Sequence, residues 1–210
     1  MVGEDVLEAL RTAVVRGAFP PGERLAEAVL AKELRVSRAP VREAMMQLER
    51  EGLLTFDQRG AAWVKELGAE DFLEIYSLRL ALEPLAARLA AERASETVFE
   101  SLAGNIEATA RARTLADVSR LDAAFHEAIV QASGNRRLAQ CWAGLGHQVL
   151  MWLTQMQQQH QAVSKRTRDE TVEAHSRLLQ ALRAGQGTAA ADGMHRHILG
   201  WREWLPLQTR

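Results

Sequence analysis

The hydrophobic pattern of this chain changes period once, and the change limits what the chain can fold into. Two short β-type runs, Leu53 to Phe56 and Ala62 to Lys65, flank Asp57-Gln58-Arg59-Gly60, which has the residue chemistry of a hairpin turn. After Lys65 the strand signal disappears, and apolar residues recur every three to four positions, the spacing of helices that bury one face. Ahead of the hairpin, the pattern predicts a helix over Glu4 to Arg16, stopped by Gly17 and Pro20-Pro21-Gly22, and a short helix over Ala26 to Leu34. A third helix follows, which Ser37 can cap and which runs to Gly52 with Val41, Met45 and Leu48 facing inward. Three helices and a hairpin in about 65 residues make a winged helix-turn-helix.

Beyond the hairpin, breaks near Ala94-Ser95, Thr114, Gly134-Asn135, Val163-Ser164 and Gly185 to Gly187 divide the rest into six helices. Leu78, Leu82, Leu85 and Leu89 in the first, and Leu178, Leu179 and Leu182 in the fifth, are read as core positions of an antiparallel bundle. The expected architecture is therefore mainly α, with a winged helix-turn-helix domain over residues 1–66, a linker over 67–70 and an all-α, six-helix antiparallel bundle over 71–210. A chain of 210 residues suits two such domains.

Composition excludes several classes. Cys141 is the single cysteine, so neither an intramolecular disulfide nor a cysteine-based zinc finger is possible, and a reducing cytoplasm fits. Cys141 itself is read as a small buried apolar residue. No apolar run approaches the ~20 residues that span a bilayer, so no membrane partner is expected. The net charge of -1 argues against general polyanion binding, and any reading of DNA has to come from where the basic residues fall.

They fall at a turn and a helix tip. Arg35, Arg38 and Arg42 cluster at the start of the third helix; Arg38 and Arg42 are four apart and share its exposed face. That helix end is the part that enters the major groove in helix-turn-helix proteins. Ser37 can cap the helix or donate to a phosphate, and Arg59-Gly60 at the hairpin tip can reach a phosphate or the minor groove. Pro21-Gly22-Glu23-Arg24-Leu25, Leu30-Ala31, Val36 to Ala44, Leu48-Glu49, Glu51-Gly52-Leu53 and Arg59-Gly60-Ala61 together resemble the signature of the GntR family of repressors. The resemblance implies double-stranded operator DNA as partner and Arg35, Ser37, Arg38, Arg42, Arg59 and Gly60 as the residues that touch it. Ala26 departs from the family pattern, which carries over at Glu27.

In the helical part, Asp122 and His126 are one turn apart on one face and can chelate; His175 and His197 lie on the two last predicted helices. A bundle that brings these helices together assembles one carboxylate and three imidazoles around a metal with open positions. Arg79 with Glu83, Asp122 to His126, Gly134-Asn135, Glu173-Ala174-His175 and Met194 to Ile198 resemble the FCD effector domain found in GntR regulators, in its metal-containing form. Six helices rather than seven is similar to the VanR-type subgroup. The resemblance implies Asp122, His126, His175 and His197 as ligands of a divalent metal (Zn, Ni or Mn). It also implies Arg79 and Asn135 as residues that meet a small organic acid effector. Arg79 is equally readable as a surface ion pair with Glu83, and Asn135 as a helix cap. His147, His160 and His195 are left out of the ligand set, and Trp142, Trp152, Trp201 and Trp204 are read as core or dimer surface.

The function implied is a ligand-responsive transcriptional regulator, a homodimer presenting two recognition helices to a palindromic operator. A metal-dependent enzyme domain and a purely structural dimerisation bundle are the competing readings. No HExxH element supports the first.

Overall fold

The structure is a computed structural model and describes residues 3–15 and 17–204, the last two by backbone alone. Arg16, the expected end of the first helix, and the Trp204 side chain lie outside the described residues. Contacts divide the chain after Gly68 into two compact units.

The first unit holds α1 (Gly3–Val15), β1 (Arg24–Leu25), α2 (Glu27–Leu34), α3 (Arg38–Arg50), β2 (Leu54–Phe56) and β3 (Ala62–Val64). Val6, Leu10 and Val14, one turn apart along α1, are buried, and α1 packs on α3, whose Val41, Met45 and Leu48 are fully enclosed. Arg11 fastens the pair, donating from Nε and Nη2 to the Glu51 carboxylate at 2.9 and 2.7 Å. Between α2 and α3 the chain turns through Arg35, whose φ of 56° and ψ of 43° lie in the left-handed region, uncommon for a residue with a Cβ. The hairpin is present with ends within a residue of those expected, and a third strand joins it. Arg24-Leu25, for which the sequence suggested no strand, pairs with β3, giving the antiparallel order β1-β3-β2. Two residues are too few to show alternation, so no period marked β1.

The second unit is all helical: α4 (Ala69–Arg93), α5 (Glu96–Arg111), α6 (Leu115–Ala132), α7 (Arg136–Ala143), α8 (Gly146–Val163), α9 (Thr167–Arg183) and α10 (Gly187–Leu199), then a 3-10 turn, Gly200–Trp204. All five expected breaks occur. A sixth, at Gly144-Leu145, splits the stretch expected as one helix, so seven α-helices are described instead of six. Gly144 caps α7 there, and the Leu145 N–H bonds back to the Trp142 carbonyl. Helix number consequently gives no support to the VanR-type subgroup.

Helix α4 packs against α10 and α6, α5 against α9 and α6, and α6 against α8. The face that α4 buries is not the one expected. Of the four leucines expected there, Leu89 is buried, Leu82 is half-buried, and Leu78 and Leu85 are 42% and 37% exposed, while Phe72, Ile75, Tyr76, Ala86, Ala87 and Ala90 form the core face together with Arg79 and Glu83. Leucines at helical spacing invited the first choice; the charged pair on the other face concealed the second. One further expectation changes, and one holds. Cys141 is exposed because α7 turns Leu138 and Trp142 inward instead. Trp142, Trp152 and Trp201 are core residues.

Leu48→Ala opens a cavity where α3 meets the core of the first unit and costs about 2–5 kcal/mol. Denaturant unfolding followed by circular dichroism checks this; a midpoint equal to the parent protein's would contradict the packing described.

Candidate DNA interface and metal centre

In the first unit, all six residues expected at DNA are exposed. Arg38 opens α3 and Arg42 follows one turn later, its Nε a loose 3.9 Å from the Glu27 carboxylate. Ser37 stands at the N-cap with an extended backbone, but its hydroxyl makes no bond to the helix, so the capping role expected of it is not used. At the hairpin tip Asp57 Oδ1 accepts from the Arg59 and Ala61 backbone N–H groups at 2.8 and 2.9 Å, and Gly60 takes φ +77°. The bond from the Ala61 N–H, with that from Arg59 beside it, outweighs desolvation and holds the Asp57 carboxyl below its ordinary value. This Asx-type turn rigidly presents Arg59 and Gly60 beyond the sheet.

In the second unit, Asp122 and His126 from α6, His175 from α9 and His197 from α10 converge, with one ligand atom of each lying within 4.8 Å of the others. Asp122 Oδ1 is 3.2 Å from His126 Nε2 and 3.1 Å from His175 Nε2, and His126 Nε2 is 3.2 Å from His197 Nε2. Asp122, His126 and His175 are fully buried and His197 is half-buried.

The surrounding shell fixes which atoms carry protons. His126 Nδ1 lies against Glu83 Oε2, and an ionised carboxylate only accepts, so the proton is on Nδ1. In its neutral form His126 then keeps the Nε2 lone pair toward the cluster. Gln157 Nε2 donates to Asp122 Oδ2 at 2.5 Å, and Ser119 Oγ donates to Gln157 Oε1 at 2.8 Å, which leaves Oδ1 directed at the imidazoles. Despite their short separation, Asp122 Oδ1 and His175 Nε2 do not have hydrogen-bond geometry, and both are buried. His175 is held further by stacking on Phe125, ring centres 3.9 Å apart and 7° from parallel.

Lone pairs from a carboxylate and imidazoles crowded around one point are stable only with a positive charge among them. Protonation shifts agree. Burial would raise the Asp122 carboxyl, but His126 and His175 hold it well below the carboxylate range. Burial lowers His175, and lowers His197 strongly, so both are neutral near pH 7 and ready as ligands. For His126 burial also opposes the charge, but Glu83 and Asp122 outweigh it and raise its pKa. One carboxylate and three imidazoles, with an outer carboxylate orienting one imidazole, are the donor set of a borderline divalent metal.

Arg79 is a buried residue, not the surface ion pair considered from sequence. Its Nε donates to Glu83 Oε1 at 2.6 Å, its Cζ lies 4.9 Å from the Trp152 ring centre, and Nη2 is 3.4 Å from His126 Nε2. Burial would raise the Glu83 carboxyl, yet Arg79 and His126 bring it to about 2. Nη1 is buried without a partner. Asn135 lies elsewhere: it caps α7 by accepting from the Arg137 and Leu138 N–H groups, and it lines a groove beside α4. Gln157 and Ser119 were not found from sequence, since one glutamine in the run Gln155 to Gln161 carries no mark that distinguishes it.

Comparison with known proteins gives two matches that together span most of the chain. The profile described as bacterial regulatory proteins, gntR family, matches residues 3–64, and that of the FCD domain matches residues 74–200. The uncharacterized HTH-type transcriptional regulator YdhC of Bacillus subtilis (strain 168) is 41% identical over 133 residues, 61% of this chain and 59% of that protein. The probable D-xylose utilization operon transcriptional repressor of Paenarthrobacter nicotinovorans is 30% identical over 203 residues, covering 95% of this chain and 87% of the other. Among solved structures, a GntR regulator from Rhodococcus sp. RHA1 shares the fold with a TM-score of 0.82 at 22% identity, each chain covered to 97%.

Glu83→Ala leaves the Arg79 guanidinium and His126 Nδ1 buried without their acceptor. It destabilises the chelator-treated protein by about 3–5 kcal/mol, measured by urea unfolding; parent-like stability would mean that the pair is not buried as described.

Proposed function

The chain belongs to the gntR family of bacterial regulatory proteins and carries an FCD domain, and from that premise we propose that it is a homodimeric repressor whose helical domain senses a small carboxylate through a divalent metal. The family and the relatives above are DNA-binding transcriptional regulators, which sets aside the reading of the helical domain as an enzyme. Among the described residues no helix is long and apolar enough to cross a membrane. The observation that carries the sensor reading is the convergence of Asp122, His126, His175 and His197 with lone pairs facing one another.

When bound, the metal supplies a Lewis-acidic anchor for an effector carboxylate. Around it Glu83 orients His126, Gln157 orients Asp122, and the partnerless Arg79 Nη1 supplies a donor to the same region. His197 also borders a cavity of about 170 Å³, shared with Thr171 and Trp201. That is small against the several hundred Å³ of a drug-sized site, which favours a compact polar acid over an aromatic or fatty one. Two subunits would present their α3 tips to half-sites about one helical turn apart, with Arg35, Ser37, Arg38 and Arg42 in or beside the major groove and Arg59-Gly60 at the flanking backbone. An effector alters this only by binding the DNA-competent and incompetent states with different affinity.

Elemental analysis of purified protein tests the sensor. Near-stoichiometric Zn, Ni or Mn is expected in the parent protein, and loss of it in both His175→Ala and His197→Ala after equal chelator treatment; a metal-free parent protein would refute the reading.

On DNA, footprinting is expected to show a two-fold symmetric site. Arg38→Ala and Arg42→Ala each weaken operator binding by about 1–3 kcal/mol, roughly five- to 150-fold, by fluorescence anisotropy at fixed salt. An asymmetric footprint, or unchanged binding, would remove these assignments.

A further inference from the structure

The cavity that His197 borders has walls of two kinds. Along α9, Thr167, Glu170, Thr171 and Ala174 follow one another at intervals of three and four residues, so one face of the helix lines the cavity, and His175 of the cluster comes next in the chain. His160, from the last turn of α8, completes this side. Helix α10 and the turn after it supply the other side, with His197 and Trp201. Of the four cluster residues His197 is the one left half-buried, and it is also the one that lines the cavity. The cavity is therefore the side on which a small solute meets the cluster.

The two sides differ in where their hydrogens go. Thr171 Oγ1 donates to the Thr167 carbonyl at 2.8 Å, and Ser164 Oγ donates to Glu170 Oε1 at 3.1 Å. His160 Nε2 lies 3.0 Å from Glu170 Oε2, and an ionised carboxylate only accepts, so Nε2 carries the ring proton. In the neutral ring Nδ1 is then an acceptor, and the Thr167 hydroxyl, 2.8 Å away, donates to it. The hydroxyl hydrogens of Thr167 and Thr171 are thus engaged within the wall. What this side keeps for a ligand is lone pairs, on two buried hydroxyl oxygens and the half-buried Glu170 carboxylate. On the α10 side the reverse holds. An indole N–H only donates, and His197 has Nε2 in the cluster, 3.2 Å from His126 Nε2, so its proton belongs on Nδ1.

We propose that this cavity is a two-ended effector site, selecting a carboxylic acid that carries a hydrogen-bond donor, a hydroxyl or an ammonium group, at the end remote from its carboxylate. This rests on the metal-anchored carboxylate reading above and adds what the other end of the molecule must be. The carboxylate lies toward His197 and the cluster, and the donor lies toward Thr167, Thr171 and Glu170. A second carboxylate would bring further lone pairs and a negative charge against a wall of acceptors, so a dicarboxylate of the same length is refused. A plain alkyl end leaves those acceptors unmatched and forgoes the affinity that a donor adds.

Four acids of matched chain length test this on the full chain, metal-loaded, by isothermal titration calorimetry: butyrate, γ-hydroxybutyrate, γ-aminobutyrate and succinate. They differ only at the end remote from the shared carboxylate. A donor-bearing acid is expected to bind at least about fivefold more tightly than butyrate, and succinate no more tightly than butyrate. The tighter of the hydroxy and amino acids identifies the donor. Glu170→Gln removes the charge and offers an amide N–H. It is expected to raise succinate affinity by about threefold or more and to lower that of γ-aminobutyrate by as much, opposite changes that a damaged fold does not produce. Thr171→Val keeps the shape and removes the hydroxyl oxygen, and it is expected to reduce the preference for the donor-bearing acid over butyrate to less than about twofold. Equal affinity for butyrate and both donor-bearing acids, or tightest binding of succinate, overturns the acceptor end and leaves the carboxylate anchor standing. Binding of none of the four by a protein that holds its metal overturns carboxylate sensing at this cavity as a whole. Butyrate binding that survives chelation overturns the metal anchor and not the acceptor end.

Discussion

Glu83 and Asp122 are fully buried, and ionised carboxylates in such a place are tolerated only when donors or cations surround them closely. Most of the second unit's inner arrangement follows from meeting that demand. Arg79 and His126 answer Glu83; His126, His175 and Gln157 answer Asp122. Those residues come from α4, α6, α8 and α9, so four of the seven helices are fixed in rotation by which side chain each must deliver. The apolar core around them, with Phe125 stacked on His175 and Trp152 beneath Arg79, supplies the low dielectric that makes each of these pairings strong.

The same demand accounts for the unusual character of α4. A helix on the outside of a bundle ordinarily turns leucines inward and charges outward. Here the inward face gives two turns to Arg79 and Glu83, with small residues Ala86, Ala87 and Ala90 beyond them, while Leu78 and Leu85 are turned out. The burial of a charged pair and the exposure of a leucine stripe are one fact seen from opposite sides of the helix.

This is also why the sequence was readable in some places and not in others. Helices α1 and α3 obey the simple rule of one apolar face, and the β-type runs around Asp57 to Gly60 alternate with the turn chemistry between them, so the winged unit could be read directly. The cluster could be read because Asp122 and His126 sit one turn apart and the family pattern supplied His175 and His197, two residues that no local periodicity would connect to them. For α4 the period was right and the phase was wrong, because periodicity registers leucines without knowing whether a core or a partner covers them. The break at Gly144-Leu145 had a signal, glycines on either side of Leu145, too slight to outweigh the helical pattern around it. Gln157 had none: its role comes from the atom it faces, which only the fold determines.

One helix thus carries both the buried pair beside the Asp122-His126-His175-His197 cluster and two leucines turned outward, Leu78 and Leu85. Arg79 and Glu83 point inward from the turns that carry Leu78 and Leu85 outward, and a close-packed interior does not deform continuously around a displaced ion pair. Were an effector carboxylate to bond Arg79 Nη1, Glu83 and His126 would have to adjust with it, and the backbone of α4 would bear the adjustment. A rotation of α4 by a fraction of a turn would change what Leu78 and Leu85 present on the outside of the bundle. Since a ligand can shift an equilibrium only through a difference between states, α4, with a buried charged pair on one side and exposed leucines on the other, is where such a difference has the shortest path to the surface.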